Sequence, residues 1–252
     1  MRRMVTTLLL TAGLSLGTLP ATAGEGAPFP GDVELEYRVK RSGFSLGTME
    51  RTITREPVDG ESGHEYRVAS VARPGGMARL LFSGDTRESS RFLWDDDGIR
   101  PLEYRYRQRT GKDKDIRLSF HYGDEVVREA VRGREWELTA GAQDLVSAQF
   151  TVMRGLAAGE TEFEFPVVDE DGLEGYRYEV TGEVERETPA GTWQTVRVEQ
   201  IRDKPGKRRS IFWLAPELGY LPVAVEQHKG DDRKGLLELK KAPEADFSDF
   251  TE

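Results

Sequence analysis

The 252-residue chain has no cysteine and no asparagine. The first absence rules out disulfides, a thiol nucleophile and lipid attachment through a lipobox cysteine. The second rules out N-glycosylation and leaves the turns to glycine and aspartate. Histidine is scarce as well. His64, His121 and His228 are the three, and none pairs with another at the i, i+2 or i, i+4 spacing of a local metal site. Even the apolar stretch near the N-terminus is too short for an ordinary membrane span. There is no phosphate-cradling glycine loop of the P-loop or dinucleotide type. The formal net charge of −9 is wrong for general nucleic-acid binding, which needs clustered cations.

What is present begins with a leader. Met1-Arg2-Arg3-Met4 precedes an apolar stretch from Val5 to Leu16, then Pro20 and Ala21-Thr22-Ala23. A basic start, a short apolar segment and an A-x-A end predict a signal peptide over residues 1–23, with cleavage after Ala23 and release of a soluble protein into the periplasm. Removing it takes away two arginines and no acids, so the charge goes from −9 to about −11. The remaining chain, 24–241, is predicted to be one all-β domain, followed by an acidic, loosely ordered tail over 242–252.

Period-two alternation dominates that domain. Val33, Leu35, Tyr37 and Val39 share one face against Glu34, Glu36 and Arg38. Leu102, Tyr104 and Tyr106 alternate with Glu103, Arg105 and Arg107, and Ile116, Leu118, Phe120 and Tyr122 with Arg117, Ser119 and His121. Similar runs follow around Phe163, Tyr176, Trp193, Ile211, Leu221 and Leu236, separated by turn signals such as Asp97-Gly98, Asp171-Gly172 and Lys204-Pro205-Gly206. The pattern predicts a mainly β fold: a large curved antiparallel sheet or incomplete barrel of roughly a dozen strands, with one or two short helices. Two stretches break the rhythm. Residues 76–82 read as a short helix or loop. Residues 143–156 read as a helix, with Leu145, Ala148, Phe150, Val152 and Leu156 near helical spacing, Asp144 as its cap and Gly155 at its end.

The order of short motifs in the second half is familiar: Asp144 through Arg154, Thr188-Pro189-Ala190-Gly191-Thr192-Trp193, Phe212-Trp213-Leu214-Ala215-Pro216 and Gly219-Tyr220-Leu221-Pro222-Val223. With Tyr37 to Gly47 and Gly98-Ile99-Arg100-Pro101-Leu102 in the first half, the chain resembles the bacterial exported domain of unknown function 3108. The resemblance implies an exported β-rich protein and no particular chemistry. At the level of fold the pattern is also similar to the half-barrels of periplasmic lipoprotein carriers, whose sheet wraps around helices.

One motif suggests catalysis. Gly43-Phe44-Ser45-Leu46-Gly47 matches the G-x-S-x-G nucleophile elbow, which needs a strand before the serine and a helix after it. Here the β-branched run Thr52-Ile53-Thr54 predicts a strand after Ser45, and too few residues precede it for the sheet and oxyanion loop of such hydrolases. The resemblance implies that Gly47 serves the first hairpin as a turn or bulge glycine. Asp95-Asp96-Asp97 and Asp169-Glu170-Asp171 precede glycines and read as turns, without the spaced bidentate Glu of a calcium loop. No catalytic residue, cofactor or metal is expected. Basic residues crowd two hairpin tips: Arg105, Arg107 and Arg109 with Lys112, Lys114 and Arg117, and Lys207, Arg208 and Arg209 with Arg202 and Lys204. They are candidates for contacts to an anionic head group, or else solubilising charge on strand edges. The expected role is non-catalytic binding of an amphipathic or polymeric envelope component, a lipid, lipoprotein or glycan, in a concave sheet. The alternative is a docking or scaffold factor with no small ligand.

Overall fold

The computed structural model describes residues 29–58, 63–81, 84–109, 113–201 and 208–251. The predicted leader therefore lies outside the described residues, as do Lys112, Arg202, Lys204 and Lys207.

One antiparallel meander accounts for almost all of it. The strands are β1 (Val33–Arg41), β2 (Phe44–Pro57), β3 (His64–Pro74), β4 (Thr86–Asp95), β5 (Gly98–Gln108), β6 (Lys114–His121), β7 (Val126–Glu129), β8 (Arg134–Glu137), β9 (Glu162–Asp169), β10 (Gly172–Thr188), β11 (Gly191–Ile201), β12 (Arg208–Ala215), β13 (Leu221–Lys229) and β14 (Asp232–Lys241). They form a single 14-stranded sheet, slightly more than the dozen expected, in the order β8 to β1, then β14 to β9. β1 pairs with β14, which joins the two halves, while β8 and β9 remain as free edges. The helices are α1 (Ala78–Leu81), α2 (Ser147–Ala157) and α3 (Ser248–Thr251).

The edges are brought together without a strand ladder. Before α2, Gln143 accepts a hydrogen bond from Val168 N (2.8 Å) and donates to Pro166 O (2.9 Å), and its amide donates to Ile99 O (2.8 Å). It thus covers the edge of β9 and links that strand to β5. Just past the end of β9, Lys114 of β6 pairs with Glu170 (2.6 Å), and Arg134 of β8 donates to Glu170 O (2.6 Å).

The alternation decides which side chains enter. Val33, Leu35 and Tyr37, Tyr66 and Val68, Ile116 and Leu118 are buried in one core cluster. Helix α2 lies inside the curled sheet and divides its apolar face. Phe150 and Met153 join that core, while Ala148, Val152 and Leu156 pack on Phe163, Val167, Tyr178 and Leu214 of the β9–β12 side. Burying one such side chain contributes about 1.5–3 kcal/mol, so α2 is held chiefly by the sheet around it. Asp144 stands two residues before the N-cap, Val146, and holds the approach to the helix: its Oδ1 accepts from Val146 N (2.7 Å) and Ser147 N (2.9 Å).

Several expectations are corrected. Gly155 lies within α2, not at its end, because a Cβ there would sit 2.5 Å from Phe163 Cε1, and the turn after the helix belongs to Gly159 at φ +81°. Leu145 precedes the helix and is exposed, not part of its apolar stripe. Tyr122 falls in the turn after β6, half-exposed, with its hydroxyl donating to Pro101 O (3.0 Å). The acidic tail is not loose over its described length. Phe247 and Phe250 are buried against Phe29, with ring centroids 5.7 and 5.3 Å apart. A hydrophobic anchor of two aromatic rings outweighs the solvation of three nearby acids, Glu244, Asp246 and Asp249.

Topology separates two ends. Phe29, Trp94, Phe150, Leu218, Phe247 and Phe250 belong to the same core and fill the end where β1 starts and β4 finishes. The opposite end, the rim, carries the connections after β1, β3, β5, β7, β9, β11 and β13. The molecule is a cup with a plugged floor.

Candidate functional site

Ser45 lies on β2 and is exposed. The preceding Ser42 (φ 48°) and Gly43 (φ 84°) make the two-residue turn of the first hairpin, which requires positive φ at both positions. Val39 pairs with Gly47 and Lys40 with Ser45, so Leu46 is the extra residue of a bulge. A strand follows the serine, and the G-x-S-x-G spacing is that of a turn and bulge. Gly47 sits at φ +153°, where a Cβ would come 1.9 Å from Arg73 O.

The carboxylate runs are turns. Asp95 Oδ1 accepts from Asp97 N (3.0 Å) and Gly98 N (3.1 Å), and Asp169 Oδ1 accepts from Asp171 N (2.8 Å). The histidines stay apart: His121 meets Ser119 (3.0 Å), and His228 meets Glu226 (2.8 Å). His64 packs near Tyr66 with centroids 6.5 Å apart, and burial followed by the Arg55 charge lowers its pKa. Among the described residues no group of three or more His, Cys, Asp or Glu could hold a metal ion.

Both basic hairpins spring from the rim, but the described side chains of Arg105, Arg107, Arg109 and Arg209 do not line the cup. Arg105 and Arg107 point outward, opposite in parity to Tyr104 and Tyr106. Arg105 reaches Glu103 (3.1 Å), Arg109 pairs with Asp113, and Arg209 pairs with Glu199 (2.5 Å). Arg208 begins β12. These are exposed or half-buried pairs on the outer face, each worth well under about 1 kcal/mol.

The concave side holds a different group. A cavity of about 400 Å³ lies between the inner faces of the two halves. Met49, Tyr176, Tyr178, Phe212, Val225 and Leu237 supply its apolar wall. Leu145 and Gln149 contribute from the start of α2, and Gln200, Ser210 and Gln227 from the β11–β13 side. Asp169, Ser210, Gln227 and Glu88 all stand near the rim ends of their strands, so the cavity lies in the rim half, above the aromatic floor.

One arginine lines this cavity. Arg51 shares the inward face of β2 with Met49 and Ile53 and is only 8% exposed. Its Nε donates to Ser70 Oγ (2.8 Å) and its Nη1 to Gln149 Oε1 (3.0 Å). No ion pair joins it among the described residues. Cross-strand pairing sets Arg51 opposite Ser70, and Ser70 opposite Glu88. Glu88 is therefore in the same row, two strands away, and its carboxylate accepts from Tyr104 OH (2.8 Å). Burial pushes the Tyr37 phenol up to about 12, with Arg51 acting against it, and its hydroxyl donates to Pro222 O (3.0 Å) across the β1–β13 side. Behind the row, Ser90 donates to Asp144 Oδ2 (2.6 Å), and burial raises Asp144 to about 6 against the pull of its three donors. Arg51, Ser70, Glu88, Gln149 and Gln200 were not among the residues predicted for a site.

Over residues 36–233 the chain matches the family described as protein of unknown function (DUF3108). A solved structure from Brucella abortus, described as a beta-barrel-like protein of domain of unknown function DUF1849, has the same fold. It aligns with a TM-score of 0.53 at 15% identity, covering 83% of this chain and 94% of that one. A structure from Bacteroides fragilis, provisionally described as an exported protein with a YmcC-like fold, aligns at 0.39 and 12% identity over 86% of this chain and 98% of that one. One from Parabacteroides distasonis, provisionally described as a lipoprotein, aligns at 0.33 and 12% identity over 85% and 96%. No curated protein matches. No helix among the described residues is long and apolar enough to cross a membrane.

Proposed function

Because this chain belongs to the DUF3108 family, whose description assigns no function, we propose a role from its geometry: it is an exported, non-catalytic protein that holds one amphipathic component of the cell envelope in its cup. The observation that carries this reading is the cavity of about 400 Å³ between the two inner faces. Its size falls in the range of about 300–1,000 Å³ that serves small ligands, and its walls mix aromatic surface with a few polar groups, as such sites do. The predicted leader at residues 1–23 supports delivery to the periplasm. A lipid or an acyl chain suits this wall better than a glycan, since the inward rings belong to aromatic and aliphatic clusters rather than to an open stacking surface.

The experiment is native mass spectrometry of protein purified from the periplasm, paired with titration of an environment-sensitive apolar dye. The reading expects co-purified amphiphile and saturable dye binding that Met49→Trp, which fills the cavity, suppresses. Dye binding unchanged by that substitution sinks it.

A docking or scaffold role is the second reading, and one observation favours it. Phe44 and Met77 are 76% and 80% exposed, and both stand at the rim beside the paired ends of β2 and β3. Large exposed side chains at one end mark a surface that meets another body. Loss of a co-purifying protein in a Phe44→Ser, Met77→Ser variant, with dye binding intact, would select this role.

A further inference from the structure

The rim-facing cavity contains a charge that the fold itself does not pair. An arginine buried in a protein interior is normally held by a carboxylate, because desolvating an isolated ion is expensive. Arg51 is more than nine-tenths buried, yet its two hydrogen-bond partners, Ser70 and Gln149, are neutral. Those partners fix the guanidinium through Nε and Nη1, and among the described residues Nη2 has no acceptor. A guanidinium fixed by neutral partners at Nε and Nη1, on a residue that lines a cavity, keeps its charge and a donor nitrogen for an anionic oxygen.

Resting on the reading of the cup as an amphiphile-binding site, we propose that Arg51 is the anchor for the carboxylate of a fatty-acid-like ligand. The head would sit on the guanidinium, with the chain against Tyr178, Phe212 and Leu237. Glu88 selects among anions. It stands in the same inward row, separated from Arg51 by Ser70, and its carboxylate is already engaged by Tyr104. A second negative charge on the ligand would meet Glu88 across that row at low dielectric. A singly charged carboxylate is therefore preferred to a doubly charged phosphate. Ligand oxygens arriving at Nη2 need no rearrangement of Gln149 or Ser70, so the site is organised before the ligand enters.

The alternative anion sites, the basic hairpin tips, stand on the outer face away from the cavity, and several of their cations are already paired. Arg105, Arg109 and Arg209 each have a carboxylate partner on the outer face. Arg51, on the concave side, has no such partner among the described residues.

The test compares two probes of equal chain length, lauric acid and dodecanol, by calorimetry on the mature protein near neutral pH. Wild type is expected to bind laurate about tenfold to hundredfold more tightly, the gain of a charge-assisted hydrogen-bonded pair. Arg51→Met is expected to lose that preference. Equal affinity of wild type for the two probes overturns the anchor and leaves the cavity reading standing. That arm needs no variant to fold. Failure of both probes to bind overturns the cavity reading and the anchor together. A retained laurate preference in folded Arg51→Met also overturns the anchor.

Discussion

Gly47→Val tests the structural account of the G-x-S-x-G motif most directly. Gly47 has φ +153°, a conformation that costs a side-chain-bearing residue roughly 1–3 kcal/mol. The space is closed as well. An added Cβ would lie 1.9 Å from Arg73 O and 2.9 Å from Gly75 N. Both are backbone atoms, so no side-chain rotation relieves the clash. Relief requires β2 and β3 to separate at the rim, which breaks the Gly75 N to Leu46 O bond of 2.8 Å, worth about 1 kcal/mol. The total is about 2–4 kcal/mol. For a domain of this size each kcal/mol moves the melting temperature by about 2–4 °C, so the midpoint should fall by about 4–16 °C. Ser45→Ala, two residues away on an exposed position, should stay within about 0.5 kcal/mol of wild type. Thermal melts of the three proteins by circular dichroism give the answer. A Gly47→Val midpoint equal to wild type would refute the close-approach argument. Covalent capture of Ser45 by a fluorophosphonate probe would refute the reading of the motif as a turn and bulge.

Trp213→Ala removes a buried ring that packs under Arg186 at 4.2 Å, and should cost about 3–5 kcal/mol in chemical denaturation; a shift near zero would move Trp213 to a binding role. Phe250→Ala should destabilise by a similar 3–5 kcal/mol, measured the same way, because the ring stacks edge-on against Phe29 and Trp94; a neutral result would restore the loose tail. Asp144 gives a pH signature. Its folded pKa of about 6 is above the ordinary 3.8, so between those values the folded state binds more protons than the unfolded one. Stability carried by this group is full below about pH 4 and declines as pH rises to about 6, by up to about 3 kcal/mol. Asp144→Asn should flatten that segment of the urea-midpoint profile, and a profile identical to wild type would show that Asp144 is ionised throughout.

The meander was legible because period-two alternation and glycine–aspartate turns are local signals. Inward positions such as Leu35, Tyr37, Tyr104 and Leu118 are buried as their parity requires. What local pattern does not carry is register. An irregularity after Trp213 sets it opposite Ala224 and the next residue, Leu214, opposite Pro222, a shift that no local signal announces. Nor does local pattern show what packs on an outer face. The last part of β10 continues past a bulge at Gly182, and Arg186 reaches both Trp213 and Glu226 (3.3 Å) on the convex side. The tail was misjudged for a related reason. Its acids dominate the composition, while its two phenylalanines find a site on Phe29 and Gly219 that only tertiary structure creates.

The candidate site was missed although one part of it was visible. Met49, Arg51 and Ile53 share parity on a strand, so an arginine occupies a position where alternation asks for an apolar residue. The same parity puts Arg105 and Arg107 outside, which is where a dense basic cluster draws attention and where charges are cheap. Ser70 and Glu88 become neighbours of Arg51 only through strand pairing, and Gln149 only through the seating of α2. If Arg51 is kept for a ligand and not for the fold, stability should show it. Replacing a buried charge by an apolar side chain of similar volume is often neutral or stabilising, by about 1–4 kcal/mol. Arg51→Met leaves Gln149 on the wall of a cavity that can admit water, and Ser70 next to the space the guanidinium vacates, so neither is stranded dry. Delipidated Arg51→Met should therefore melt at or above the wild-type temperature, while losing the laurate preference. A melt several degrees lower in the ligand-free state would mean that the arginine braces β2, β3 and α2 for the sake of the fold, and would remove the reason for expecting an anion on it.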